Sequence, residues 1–346
     1  MTLCVMSTHV SCVDVKDDVN ARGVRDARSR VCAIGTYEHC EKKKTRSGDV
    51  AFALASDENV AVVAKVENLG GVFDVRFARE SSRDDRVAMA CASGVVVVAR
   101  VVENVDGISI DDLGSTATTT KGSGLGMCTS VDWGLHGSFV AGADDGSFVV
   151  ARERDGALAV AQTFERAHDL EIWTVAFDRS TEDVLYTGAD DGAFKKWDAR
   201  CSTRETCVVN AKSHSAGVTN IAPSPHDDWV VVTGSYDESV RAWDARAMHS
   251  PLSTCAVGGG AWRVRWHRSK RALVCAAMGG GAVLVDCENG ESRAYHTYGE
   301  HGSIVYGADW LSDGRGDDVD ALISCSFYDN EVRCWSAPSA ACARGV

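Results

Sequence analysis

The side chains most able to do chemistry in this chain fall into two sets. In the first, an aspartate precedes a tryptophan by the same interval at Asp191 and Trp197, Asp237 and Trp243, and Asp329 and Trp335. His168 and His214 lie upstream of the first two pairs. A carboxylate, an imidazole, a hydroxyl and an indole N–H can satisfy one another in a closed hydrogen-bonded network, so a structural role is expected. The second set is aromatic: Trp173, Tyr236, Trp262, Tyr306 and Tyr328. Ring faces brought together attract a cation by ~0.5–2 kcal/mol per contact, but the same rings can simply pack, and position alone favours packing.

Motifs for nucleophilic, phosphate or zinc chemistry are missing. The chain has no G-x-S-x-G, no G-x-x-x-x-G-K-S/T and no H-E-x-x-H. Its 14 cysteines are scattered with no C-x-x-C pair, which argues against finger or ribbon zinc sites. They are expected to be small buried hydrophobes. Gly258–Gly260 and Gly279–Gly281 precede strand-like segments rather than helices, so they read as turns.

The elements that must carry these residues repeat. GADDGAFKKWDAR (188–200), GSYDESVRAWDAR (234–246) and SFYDNEVRCWSAP (326–338) overlay without gaps, and GADDGSFVVARER (142–154) keeps the turn but has Ala151 in place of the tryptophan. Apolar segments ending at Phe77, Trp133, Phe177, Ala222, Trp266 and Trp310 are spaced by 56, 44, 45, 44 and 44 residues. A period of ~40–45 residues with a Trp-Asp signature marks a WD propeller, with one four-stranded blade per repeat. The expected fold is therefore all-β: a seven-bladed WD40-type propeller of four antiparallel strands per blade. It is read as one domain over residues 1–346, with blades starting near 10, 72, 128, 172, 217, 262 and 304. The long interval suggests a flexible loop at about 104–126, and either residues 2–6 or the C-terminal tail would close the ring.

Charge narrows the partners. The chain carries 36 basic and 49 acidic residues, net −13, which argues against broad binding to a phosphate backbone. The one dense basic run, Lys42–Arg46, reads as a solvated loop. No apolar run reaches the ~18–20 residues that cross a bilayer, and Met1–Met6 lacks the basic start of a signal peptide. Neither nucleic acid nor membrane is expected as a partner, and the compartment expected is cytosolic or nuclear.

In such a propeller, inter-blade loops and the turns between second and third strands share the top face. His168, His214, Asp191, Asp237 and Asp329 are expected there, along with Tyr236 and Tyr328. Glu171, Trp173, Trp262 and Tyr306 fall where first strands enter the central channel.

Several stretches resemble one WD family in particular. They are EIWTVAF (171–177), YTGADDGAFKKWDAR (186–200), GGGAWRVRWH (258–267), VYGADW (305–310) and SCSFYDNEVRCW (324–335), with CAIGTYE (32–38) near the start. Together they resemble the diphthine methyltransferase family, also described as diphthine methyl ester hydrolases. The resemblance is dense from about 167 to 335. It implies hydrolysis of the methyl ester of methylated diphthine on elongation factor 2, giving diphthine and methanol before the final amidation of diphthamide synthesis, with no cofactor and no metal. Elongation factor 2 is the implied partner, alongside other proteins of that pathway. Trp173, Tyr236, Trp262, Tyr306 and Tyr328 become substrate-binding candidates for the quaternary ammonium beside the ester. Glu171 and His296, the latter expected in the loop before the last blade, are catalytic candidates chosen by location. The competing reading is a non-catalytic WD adaptor that holds elongation factor 2 or another protein.

Overall fold

A computed structural model describes the chain apart from residues 1, 7, 17–28, 57–58, 80–84, 105–106, 118–125, 155–156, 201–206, 212–213, 312–318 and 339–346. It contains seven four-stranded antiparallel sheets. Blade 1 is Val10–Val15, Arg30–Thr36, Val50–Ala55 and Val60–Val66; blade 2 is Val72–Phe77, Arg86–Cys91, Val95–Asn104 and Gly107–Ala117. Blade 3 is Cys128–Trp133, Ser138–Ala143, Phe148–Arg154 and Ala157–Phe164; blade 4 is Ile172–Phe177, Val184–Ala189, Phe194–Asp198 and Cys207–Ala211. Blade 5 is Val218–Pro223, Val230–Ser235, Ser239–Asp244 and Ser253–Ala256; blade 6 is Gly260–Trp266, Ala272–Met278, Gly281–Glu288 and Glu291–Tyr298.

Blade 7 settles how the ring closes. Val305–Trp310, Val319–Ser326 and Glu331–Pro338 are completed by the N-terminal strand Thr2–Val5, which pairs antiparallel with residues 331–334. The two ends of the chain thus share one sheet, so no blade is left with an unpaired final strand.

Why these segments are strands follows from what covers them. Val230–Ser235 and Arg86–Cys91 are buried at every position, as expected for β-branched and small residues sandwiched between sheets. Outer strands instead alternate: Glu291–Tyr298 is exposed or half-buried throughout. The core is divided into seven apolar clusters, one at each blade-to-blade interface. Trp197, Trp243 and Trp310 are among the largest fully buried side chains in them.

Two expectations need correction. Residues 107–117 are not loop: they form the fourth strand of blade 2, paired with Val95–Asn104. Ile108 and Ile110 alternate inward against the cluster between blades 1 and 2, and that period-two pattern outweighs the polar composition around it. Of the loop expected at about 104–126, residues 105–106 and 118–125 lie outside the described residues. The basic run 42–46 sits on a short exposed hairpin, Glu38–Cys40 with Thr45–Ser47. Among the described residues the one helix is the single turn Leu135–Gly137, and no helix is long and apolar enough to cross a membrane.

Candidate functional site

The first strand of every blade slips by one residue against the second, always near its start. The slips fall between Val10 and Cys12, Val72 and Asp74, Cys128 and Ser130, and Ile172 and Thr174 in blades 1–4. They fall between Val218 and Asn220, Ala261 and Arg263, and Val305 and Gly307 in blades 5–7. A bulge leaves its extra residue outside the ladder and re-aims its side chain. The seven bulged residues are Ser11, Phe73, Thr129, Trp173, Thr219, Trp262 and Tyr306: four aromatics and three hydroxyls. Each hydroxyl ties down the neighbouring aromatic bulge. Ser11 donates to Val72 O at 2.5 Å, just before Phe73; Thr129 donates to Ile172 O, just before Trp173; Thr219 donates to Ala261 O at 2.5 Å, just before Trp262.

The structure brings four of the predicted aromatics together and extends them. Trp173, Tyr236 and Trp262 form a triangle with centroids 5.7–6.5 Å apart. Tyr306 joins Trp262 at 5.2 Å, and Phe327 joins Tyr306 at 4.9 Å. Tyr328, 67% exposed, meets Phe327 at 5.0 Å, and His9 meets both. The arc spans blades 4 to 7 and reaches the segment leading into blade 1. Asp190 anchors one end by accepting the Trp173 indole N–H at 3.0 Å. Glu171 is half-buried beside it, its carbonyl accepting Asp190 N at 2.9 Å.

The mouth has a charged floor. Asp14, Asp74, Arg76, Arg263, Arg265 and Asp309 project from first strands and are buried. Arg263 stacks 4.9 Å from the Trp262 ring centre and donates to Phe73 O across the channel at 3.0 Å. Its Nε lies 3.8 Å from Asp74, which Arg76 also approaches at 3.3 Å. Burial alone would raise the Asp74 carboxyl, but these arginines hold it below its ordinary value. Asp14 is different: burial pushes it up to about 6 despite Arg265. A cavity lined by Arg79, Trp133, Leu135, Phe177 and Glu182 lies at the opposite end of the first strands, away from the arc.

The histidine–aspartate set builds two like networks. His168 contacts Asp191 at 3.0 Å and Thr187 Oγ1 at 2.7 Å, and Trp197 donates to Thr187 at 2.8 Å. His214, Asp237, Thr233 and Trp243 repeat it at 2.9, 2.7 and 2.8 Å. Burial would raise Asp191 and Asp237, but their hydrogen bonds hold both at about 2. Blade 7 departs from the pattern. Thr187 faces Lys195, whereas its counterpart Ser324 faces Arg333, so this hairpin holds one more residue. The gapless overlay of 326–338 is therefore out of step within the turn. Asp329 does not contact a histidine directly: it accepts from Ser326, whose Oγ lies 2.8 Å from His301 Nδ1. His301 completes the network through Ser324 at 2.7 Å, to which Trp335 donates at 2.9 Å. One ligand atom each from His301, Asp329 and Glu331 lie within 4.8 Å of one another, but Arg333 already occupies Glu331 at 2.6 Å.

His296 is also corrected. It lies in the outermost strand of blade 6, paired with Leu284, with its ring 6.1 Å from Trp335, and not in the loop before the last blade. The alternating segment ESRAYHTY made it strand. Asp190, Arg263, His301, Phe327 and His9 were missed from sequence. His301 escaped because its spacing to the network hydroxyl is 23 residues, against 19 for His168 and His214. Arg263 and Phe327 stood inside the quoted motifs GGGAWRVRWH and SCSFYD.

Residues 205–244 and 292–336 match the family described as WD domain, G-beta repeat. Among curated proteins, "Diphthine methyltransferase homolog" of Dictyostelium discoideum is 35% identical over 92 residues, covering 24% of this chain and 25% of that protein. "Diphthine methyltransferase" of Saccharomyces cerevisiae is 29% identical over 94 residues, covering 23% and 22%. Over these spans the chain is similar to WD-repeat diphthine methyltransferases. The matched span is about a quarter of each relative's length. Among solved structures, a chain of "Crystal Structure of Mitotic Checkpoint Complex" superposes with a TM-score of 0.68 at 17% identity, over 89% of this chain and 87% of that one. At that identity the likeness concerns the fold alone.

Proposed function

We propose that this propeller acts in diphthamide biosynthesis by hydrolysing the methyl ester of methylated diphthine on elongation factor 2. The observation that carries the reading is the aromatic arc over the channel, with Asp190 bound to Trp173 at 3.0 Å. The similarity to diphthine methyltransferases supports it. A quaternary ammonium fits against the faces of Trp173, Tyr236, Trp262 and Tyr306, each contact worth ~0.5–2 kcal/mol, while Asp190 and Glu171 supply negative charge. Tyr328, at the exposed end, offers a ring to the polypeptide that bears the modified histidine.

In the reaction, water adds through its oxygen to the ester carbonyl carbon, and the C–O bond to the methoxy group breaks. One water proton leaves with methoxide as methanol, and the other is released as the product carboxylate ionises. Glu171, half-buried at the entrance, is the proposed acceptor of the first proton. His296 on its outer strand is not given a part.

The test mixes purified protein, without cofactor, with elongation factor 2 carrying methylated diphthine and follows the factor's mass and free methanol. A mass loss of one methylene together with methanol is expected. Stable binding with neither change would favour the adaptor reading instead, and the compartment of action, cytosolic or nuclear, is proposed with the partner.

A further inference from the structure

We infer that the phenol hydroxyls of Tyr236 and Tyr306 are paired hydrogen-bond donors to the ester carbonyl oxygen, holding the negative charge that gathers there as water adds. This rests on the hydrolase reading and assigns the oxyanion-stabilising groups of the same site.

Geometry comes first. The two rings flank Trp262, with centroids 5.8 and 5.2 Å from it. They come from different blades: Tyr236 follows the second strand of blade 5, and Tyr306 is the bulged residue of blade 7. Among the described residues neither phenol has a hydrogen-bond partner, though both rings are largely covered. Between them the Trp262 indole N–H is buried and also lacks a partner. Buried indole N–H groups and covered phenols ordinarily find acceptors. Three donors gathered at one mouth without an acceptor describe a place where a ligand oxygen belongs.

Electrostatics agree. Burial raises both phenols above their ordinary value; the neighbouring Tyr306 raises Tyr236 further, and Tyr328 raises Tyr306. Each therefore stays protonated at neutral pH, a poor nucleophile and a standing donor. Arg263, stacked on Trp262, contributes positive potential to both phenols. Donors held in place before the reaction, near a buried cation, stabilise developing charge more than the ground-state carbonyl.

The experiment compares Tyr236→Phe, Tyr306→Phe and the double variant with the unaltered protein, using elongation factor 2 carrying methylated diphthine. Phenylalanine keeps the ring faces, so KM should stay within about threefold while kcat falls about 100-fold for each single variant. Tyr295→Phe, on the outer strand Glu291–Tyr298 of blade 6 and away from the mouth, should keep the original kcat. Unfolding midpoints measured alongside exclude collapse of the mouth. If the unaltered protein turns over and both single variants keep kcat within about threefold, the donor assignment is overturned while the hydrolase reading stands. If the unaltered protein releases no methanol, the hydrolase reading fails and the assignment fails with it.

Discussion

Thr219→Val tests whether the hydroxyl bulges position the aromatic ones. Valine matches threonine in shape, so the substitution deletes one interaction: the Thr219 hydroxyl donating to Ala261 O at 2.5 Å. Thr219 is fully buried, so water cannot easily replace the lost donor. The expected loss of stability is about 1–2 kcal/mol, the scale of a buried hydrogen bond plus its stranded acceptor. The specific consequence lies one residue on. Freed from its tie, the backbone at Ala261 no longer fixes the bulge that aims Trp262, the ring shared by Trp173, Tyr236 and Tyr306. Losing about 1 kcal/mol of cation–π attraction there weakens binding roughly fivefold. Tetramethylammonium or a trimethyllysine peptide, titrated by tryptophan fluorescence, reads the affinity, and urea unfolding reads the stability. Thr219→Ser should restore both. An unchanged urea midpoint with unchanged probe affinity in the valine variant would refute the reasoning.

Other perturbations separate the parts of the site. Asp190→Asn removes the charge beside Trp173 and is expected to weaken the same cationic probe severalfold, while a neutral isostere of the probe binds no worse. His296→Ala should leave methanol release intact, and a loss of kcat without loss of fold would return His296 to the site. Stability should fall as pH drops below the ordinary histidine range. Burial lowers His168 and His214 and brings His301 to about 4, so between about 6.5 and 4 the unfolded chain binds more protons than the folded one. Asp191 and Asp237, held at about 2, extend that loss to lower pH. Asp14, raised to about 6, acts in the opposite sense between about 3.8 and 6. Urea midpoints from pH 7 to 5 should decline, less steeply in His301→Gln; an identical slope in that variant would remove His301 from the account.

How far the sequence could be read depended on whether a feature was local. The seven blades were legible because each repeats apolar strands at a near-constant spacing, and the Asp–Trp pairs of blades 4 and 5 were legible because both members sit on one hairpin. The blade 7 network was not, since one extra hairpin residue moves Asp329 off the histidine and puts Ser326 in between. A gapless overlay cannot register that insertion: the aspartate, the tryptophan and their interval are all kept. His296 failed for a related reason, because an imidazole in a polar, alternating segment reads as loop until its partner strand is known. The aromatic arc was half legible. Trp173, Trp262 and Tyr306 occupy equivalent places in three first strands, whereas Phe327 joins from the turn after the second strand of blade 7 and His9 reaches it from the segment after the closing N-terminal strand.

The arrangement of the first strands explains why aromatic residues can sit at this mouth at all. Beneath the bulges, the same strands carry Asp74 with Arg76 and Arg263, Asp14 with Arg265, and Asp309, all buried, the last accepting backbone N–H groups. Buried ion pairs are weak evidence for stability, since desolvation offsets much of their attraction. Their position does something else. Arg263 reaches across the channel to Phe73 O while its face supports Trp262, so the charges bridge opposite blades under the aromatic arc. The bulges then lift the next residues above this floor, and the hydroxyl bulges fix three of the four aromatic bulges from the preceding blade. A channel that would otherwise run through the ring is thereby crossed by charge and overlain by rings, with donors and carboxylates at its edge.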